Sequence, residues 1–538
     1  MKSVSYDVLV IGGGLAGLTA AVEAGKMGLN VAVISRSMVG KSGNTIIAGN
    51  NISIGIEGDH AGDSPQLFMD DVLASGQAVN DKSLVELFST ETFKMTSYVN
   101  EYGIDILGDE KGWVRRRAPG HTVPRTFSVL NKKFPYRVKG LSLTTQILKK
   151  AMEYNVKIFD NHTSLEILKT ANNAVGVMVF NRRSGQVLQF MAKATIIACG
   201  GGGRLFARSN NLRDVTGDSF GLALEAGCQL RDMEFVQFYP TMCIWPGKFT
   251  VSNPLFGHGA FLENSLGERF MSKYDPRGDL GTRDVMARAI FAEVKEGRGV
   301  KGAVYINLTE IGEKVFDKYY PHIKAFFAAK GLDYQNTKLL VQPTTHFFCG
   351  GIAVNSKTET GIPGLFAAGE AVGGIHGCNR LSGNALADAI VFGRIAGKSS
   401  GQYAKNVETF KANNYSLEQE TTTDSLKIKD VFHRIKTAMW DNVSLVRDEN
   451  SLNRALQSIQ ECKSSLPKDT VTSVESIEDY FSAKHMVLTA EAIIKAALLR
   501  KESRGSHYRA DAPTKQPGYE GRFTTSVLSD GVEVKLNQ

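Results

Sequence analysis

The sequence predicts an α/β protein in which a parallel-stranded domain is interrupted by an α+β insertion and followed by a helical unit. Three observations carry that expectation. The chain opens with strand, glycine turn, helix and strand in its first thirty-five residues; two later apolar strands, at 194–199 and 364–368, also run into glycines; and beyond Ser399 apolar residues recur at helical spacing.

Residues 7–11 read as a buried parallel strand, 18–27 as a helix and 31–34 as the next strand. The turn between them, Gly12-Gly13-Gly14-Leu15-Ala16-Gly17, satisfies G-x-G-x-x-G. Gly12 permits the tight turn, Gly14 lets backbone approach a pyrophosphate, and Gly17 lets helix and strand pack closely. The helix N-terminus at Leu15 and Ala16 is left to receive phosphate charge. That is the fingerprint of a Rossmann-like dinucleotide-binding domain. An acidic residue is expected at the end of the second strand to hold a ribose hydroxyl, and Ser35-Arg36 stands there instead, so NAD fits less well than FAD. The later junctions, Cys199-Gly200-Gly201-Gly202-Gly203 and Ala368-Gly369-Glu370, are remote from the first. A site assembled from such separate segments suits a ligand as long as FAD better than a mononucleotide.

Residues 232–342 carry polar turns and a helical stretch at 283–296, the character of an inserted domain. Further on, Leu426, Ile428, Val431, Phe432, Ile435 and Met439, then Leu452, Leu456, Ile459 and Cys462, then Val487, Ile493, Ile494 and Leu498 recur at helical intervals and read as packing between helices. The expected division is 1–231 with 343–401 as the dinucleotide domain, 232–342 as the insertion and 402–538 as the helical domain.

Composition sets the outer bounds. With 538 residues, 42% hydrophobic and 22% charged, the chain is long enough for three or four folded units and is neither largely disordered nor polytopic. Its six cysteines form no C-x-x-C pair, which argues against a disulfide scaffold, a zinc ribbon or an iron–sulfur cluster in this chain. The opening residues lack the long apolar stretch of a signal peptide, and no run of 18 apolar residues follows, so cytoplasmic residence is expected. Lys and Arg total 63 against 55 Asp and Glu, a net charge of +8 without a basic block, which fits small anionic ligands or an acidic partner and gives no reason to expect nucleic acid.

A series of motifs then appears in one order: Gly12 to Gly17, Ser42-Gly43-Asn44-Thr45, Thr216-Gly217-Asp218, Asp232-Met233-Glu234-Phe235-Val236-Gln237-Phe238, Arg283-Asp284-Val285, His346 with Gly350-Gly351-Ile352, Ala368-Gly369-Glu370, His376-Gly377-Cys378-Asn379-Arg380-Leu381 and Glu502-Ser503-Arg504-Gly505. In these the chain resembles the flavoprotein subunit of succinate dehydrogenases and fumarate reductases, with L-aspartate oxidase and adenylylsulfate reductase as more distant relatives. The resemblance covers nearly the whole length. It implies an FAD domain interrupted by a mobile cap, with substrate held between flavin and cap. It also implies an iron–sulfur partner subunit that receives or delivers electrons, and a membrane association only through partners.

The chemistry has plain requirements. Moving a hydride between flavin N5 and a carbon next to an activating carboxylate needs a cationic clamp on that carboxylate and a proton donor on the opposite face. Arg380 can hold a small anionic carboxylate bidentately, and the resemblance assigns it that task. It makes His346 the second anion-binding group and Arg283 the proton donor, an unusual role because a guanidinium yields a proton only to something as basic as a nascent carbanion. Asp218 and Glu370 match positions that bind FAD hydroxyls, Ala385 and Leu386 match the segment facing the isoalloxazine, and Ser42 and Thr45 fall in the family's flavin-binding turn. Asn44 stands where many relatives carry the histidine that attaches covalently, so noncovalent FAD is expected. No metal is expected, since His60, His121, His162, His322, His433, His485 and His507 lack ligand spacing and read as surface or core residues. Arg115-Arg116-Arg117 reads as a solvated loop, and Cys349 and Cys378 as small apolar packing.

Departures from the family pattern bear on the substrate. Tyr239 replaces a histidine of the dicarboxylate enzymes, and a phenol adds no positive charge. The family's Thr-Glu pair and relay arginine fall on Ser252-Asn253 and Phe256, which cannot shuttle protons; His258 is the candidate substitute. Adenylylsulfate reductase also has Asn-Pro here. The first reading is therefore an enzyme that interconverts a saturated carboxylate and its 2-enoate, of the succinate/fumarate kind. The alternatives are an FAD enzyme acting on an amino acid or a sulfur oxyanion, and a flavoprotein subunit that only passes electrons within a complex.

Overall fold

The computed structural model describes residues 2–49, 51–56, 62–110, 112–130, 140–251, 253–408, 425–466 and 476–538. At its centre strand Lys2–Ile11 pairs in parallel with Val31–Ser35 on one side and Gln186–Ile197 on the other. Lys157–Asp160 and Leu365–Ala367 extend the parallel part, and His162–Thr170 and Asn173–Asn181 add antiparallel strands. Val8, Leu9 and Val10 are wholly buried, as a parallel strand covered on both faces must be. The strand ends therefore converge with their glycines at one edge of the sheet. The helix Leu15–Lys26 packs on the 23-residue helix Asn384–Asn406, which brings a segment nearly four hundred residues away against the first turn.

The insertion has its own apolar core, formed by Cys243, Leu255, Phe256, Leu262, Ile290 and Val341 among others. Its five-stranded sheet is antiparallel throughout. Two long strands, Val236–Trp245 and Leu339–Phe348, enter and leave it side by side. Their outer ends, Val236, Phe238 and Phe348, belong to the main core, and Cys243, Leu339 and Val341 to the inserted one. The strand pair is thus the stalk that joins the two.

Helices Ser425–Val443, Glu449–Ser465 and Ile477–Leu499 realise the periodic stretches, the second opened by a reciprocal cap between Asp448 and Ser451. The side chain of Leu426 lies outside the described residues. A helical 402–538 is too simple, however. Phe523–Leu528 and Val532–Asn537 form a hairpin that pairs with Leu230–Arg231 near the start of the insertion. Period-two alternation in FTTSVL and VEVKLN was the available signal. The helices also share the main core rather than making a separate one. Buried charges fasten this region: Arg500, 0% exposed, donates to Glu234 (2.6 Å) and Glu502 (3.1 Å), and Arg504 donates to Glu502 (2.7 Å). Among the described residues no helix is long and apolar enough to cross a membrane.

Candidate active site

The glycine turn is built for close approach. Gly12 adopts φ +119°, and a Cβ on it would lie 2.3 Å from the Ala198 carbonyl oxygen; one on Gly17 would lie 2.0 Å from the Gly12 carbonyl oxygen. A Cβ on Gly14 would meet only Thr45 Oγ1, at 3.6 Å, so the space beside that backbone is open. The Leu15 N–H, at the start of the helix, donates to Thr45 Oγ1 (3.2 Å), and Ala16 packs against Gly369 from the third glycine junction.

Other polar groups around the turn are left for a ligand. Asn384, first residue of its helix and fully buried, has no partner for either side-chain atom among the described residues. Glu370 lies against Gly201 and accepts from the Asn44 amide and the Phe348 N–H, both at 3.3 Å; burial pushes its carboxyl up to about 7. An open glycine face, an orphaned buried amide and a half-satisfied carboxyl are what an FAD molecule would complete, so the residues present fit the cofactor. Asn44 also donates to Asn211 (2.9 Å), and Ser42 turns back to the Met38 carbonyl (2.7 Å). Ala385 packs beside Phe347, Cys349 and Cys378, and Leu386 is buried. Ser35 ends its strand buried, and Arg36 is fully engaged by Asp218 (3.0 Å), Glu478 (3.2 Å), Thr216 (2.9 Å) and Ser482 (2.5 Å).

The stalk strands and the insertion bring the proposed reacting groups together. Arg380 is 8% exposed, rests 4.5 Å from the Phe347 ring, and donates to Gln237 Oε1 and the Leu381 carbonyl oxygen, each at 2.9 Å. Arg283 opens the helix Arg283–Lys295 with its guanidinium carbon 5.6 Å from the Tyr239 ring. The Nε atoms of both arginines are buried without a hydrogen-bond partner, and neither arginine has a carboxylate ion pair among the described residues. Burial, with repulsion from Arg283, brings Arg380 down to about 10. His346 feels burial and both cations and is pressed down to about 3, so its ring is neutral in ordinary buffers. Its Nδ1 lies 3.0 Å from the Asn210 amide nitrogen and 3.3 Å from the amide oxygen; in the tautomer that accepts at the shorter contact the proton sits on Nε2. The ring stands 5.4 Å from that of Tyr239, whose hydroxyl donates to the Val251 carbonyl oxygen (2.8 Å) and is kept protonated by burial.

His258 is exposed, hydrogen-bonded through Nδ1 to the Tyr320 hydroxyl (2.7 Å) and stacked on Tyr319; no hydrogen bond joins it to Arg283. Phe256 is core packing of the insertion. Ser252 and the side chain of Asn253 lie outside the described residues. Cys349 and Cys378 are buried, and burial pushes the Cys349 thiol up to about 12, which suits inert packing. Among the described residues no three metal-ligating side chains cluster.

Sequence reasoning overlooked the loop that carries Asn210 and Asn211. Asn210 meets His346, and Asn211 donates to the His346 carbonyl oxygen (2.9 Å) and holds Asn44. Paired asparagines beside a glycine run were the signal. It gave no role to Gln237, which braces Arg380, and read His485 as a surface or core residue.

A glycine cradle open to a pyrophosphate and fed by three strand ends defines a flavin-dependent oxidoreductase. Comparison with known proteins agrees. Residues 7–386 match the FAD binding domain model and 433–530 the fumarate reductase flavoprotein C-terminal model. An uncharacterized FAD-dependent oxidoreductase of Methanocaldococcus jannaschii is 35% identical across 96% of this chain and 95% of its own. A fumarate reductase (CoM/CoB) subunit of Methanothermobacter marburgensis is 33% identical across 96% of each chain. The solved structure of Mycobacterium smegmatis Sdh1 in complex with UQ1 superimposes with a TM-score of 0.87 at 31% identity, covering 100% of this chain and 94% of that one. The chain belongs to the family of FAD-dependent oxidoreductases formed by the fumarate reductase and succinate dehydrogenase flavoproteins.

Proposed function

We propose that this flavoprotein interconverts a saturated carboxylate and its 2-enoate, of the succinate/fumarate kind. One observation carries the reading: Arg283 and Arg380 both act on the buried His346, and among the described residues neither is ion-paired to a carboxylate while the Nε of each is buried without a partner. Two partly desolvated cations that repel each other are stable only if an anion is brought to them. FAD, when bound, supplies the two-electron chemistry. Arg380 clamps the substrate carboxylate, and neutral His346 donates from Nε2 to the oxygen on which charge grows. Arg283 yields its proton to the carbanionic carbon on the far face. The separate core of the insertion supports reading 232–342 as the cap that closes over this site, against 1–231 with 343–401 as the FAD domain and 402–538 as the C-terminal domain.

Anaerobic mixing of the reduced protein with fumarate or a related 2-enoate is the test. The oxidised flavin spectrum is expected to return within seconds. No return with any enoate, together with reoxidation by an iron–sulfur partner alone, would make the chain an electron-passing subunit. Flavin reduction by L-aspartate or by a sulfur oxyanion in place of a saturated carboxylate would move the substrate to the other classes.

The engaged amide of Asn44 has no nucleophilic ring to join to the flavin, which supports noncovalent attachment. Acid precipitation should leave a colourless pellet and a yellow supernatant; a yellow pellet would show covalent flavin. An iron–sulfur partner is supported by the chain's lack of a cluster motif and by the M. marburgensis relative being one subunit of its enzyme. Tyr239 leaves the pocket without the donor a histidine would bring. Tyr239→His places an imidazole where burial and Arg283 would hold it neutral, as they hold His346, so it adds a neutral hydrogen bond of about 0.5–1.5 kcal/mol and KM for fumarate is expected to fall about two- to tenfold. An unchanged KM would remove Tyr239 from the substrate wall.

A further inference from the structure

The last long helix, Ile477–Leu499, carries a polar stripe on one face: Glu478, Ser482, His485 and Thr489 at spacings of four, three and four. All four meet one small region of the FAD domain. Glu478 and Ser482 hold Arg36, and the Thr489 hydroxyl donates to the Gly217 carbonyl oxygen at 3.2 Å. His485 is 0% exposed and lies between two carboxylates of the helix Asp218–Ala226, with Nδ1 3.2 Å from Asp218 Oδ1 and Nε2 3.1 Å from Glu225 Oε2.

The socket is shaped for that ring. Asp218, Gly221 and Glu225 lie on one face of their helix, and a Cβ on Gly221 would come within 2.3 Å of the His485 Cβ and 2.5 Å of its Cγ. An ionised carboxylate only accepts hydrogen bonds, so a ring nitrogen against each of two carboxylates requires a proton on both. The buried imidazole is therefore an imidazolium. Asp218 Oδ2 is taken by Thr216 (2.6 Å) and Arg36 (3.0 Å), whereas among the described residues Oδ1 accepts only from His485 and keeps a lone pair for a hydroxyl.

We propose that His485 is a positioning residue: its imidazolium, gripped between Asp218 and Glu225, aims the Asp218 carboxylate at a cofactor hydroxyl and makes FAD retention depend on the docked C-terminal helix. The inference rests on the reading of Asp218 as an FAD-hydroxyl ligand. The charged groups around the ring are Asp218, Glu225, Arg36, Lys484, Glu166 and Glu478, with the Cys199 thiol beside Arg36. The two carboxylates outweigh the cost of burial and raise His485 to about 9. Asp218 and Glu225 are lowered, Arg36 and Lys484 raised, and Cys199 pushed up to about 12, which leaves His485 the one of these to lose charge just above neutrality. A raised histidine contributes fully below its unfolded value near 6.5, and that contribution is lost as pH climbs through about 9.

The test is FAD affinity of the stripped protein, read by flavin fluorescence quenching at pH 7.5 and 9.5, beside thermal melts of the same apoproteins. His485→Gln is expected to weaken FAD binding about tenfold or more at pH 7.5. Glu225→Gln should weaken it as well, although Glu225 shares no hydrogen bond with Asp218. Wild type should lose about tenfold between the two pH values, and His485→Gln little. Variants that melt lower yet bind FAD with wild-type affinity, or a wild-type affinity flat with pH, would reduce His485 to a packing residue and overturn the proposal. Asp218→Asn separates the two claims: unchanged FAD binding there sinks the reading of Asp218, whereas weakened binding there with normal binding in His485→Gln sinks only the latch.

Discussion

Arg283→Gln should lower the rate of flavin reoxidation by a 2-enoate by about a thousandfold while the protein stays yellow, in line with the ~10²–10⁴ that a positioned acid contributes. A structural reason for arginine at this place is weak. It is the first residue of a helix, where the positive end of the backbone dipole disfavours a cation, and its Nε is buried without a partner. What it does face is the Tyr239 ring and, electrostatically, His346. Glutamine keeps much of the length and a donor but holds no proton to give. Stopped-flow absorbance measures the reoxidation rate, and the visible spectrum reports bound FAD. A variant within tenfold of wild type would mean that the proton comes from elsewhere.

Arg500→Ala is the largest effect expected on stability. Arg500 is fully buried, donates to Glu234, Glu502 and the Arg522 carbonyl oxygen (3.0 Å), and covers the Phe235 ring at 4.9 Å. Truncating it leaves Glu234, itself 0% exposed, with its charge unpaired, and removing one partner of a buried pair costs about 3–5 kcal/mol. Urea denaturation with the slope compared between variant and wild type measures it. Glu234 lies two residues before the stalk strand and Arg500 directly after the last helix, so the loss should appear in the whole main core. A change under 1 kcal/mol would show that water or a rearranged Arg504 reaches Glu234.

How much could be read ahead follows from the range of each interaction. The strand at 7–11, the turn Gly12 to Gly17 and the helix after it are specified by neighbours: apolar runs, a backbone that only glycine allows, and a helix start that follows at once. The periodic helices after residue 425 were legible for the same reason. The hairpin Phe523–Leu528 with Val532–Asn537 carries only a short period-two alternation, and its place in the fold is set by a remote partner, Leu230–Arg231. Arg283, Arg380, His346 and Tyr239 were singled out by motif, but nothing local said that Tyr239 turns its hydroxyl to Val251 or that His258 bonds the Tyr320 hydroxyl.

The order of its glycine turns, its helical and strand periodicities and the kinds of group available for chemistry were determined by the amino-acid sequence alone, since each depends on residues a few positions apart. Which charges meet was decided by tertiary structure. His485 looks like one more residue of a core helix until the Asp218–Ala226 helix is laid against it, and only then does the missing side chain at Gly221 become a socket with a carboxylate at either end. Electrostatic pairing depends on distance through space, and residues 267 apart in the chain acquire that distance only when the helices pack.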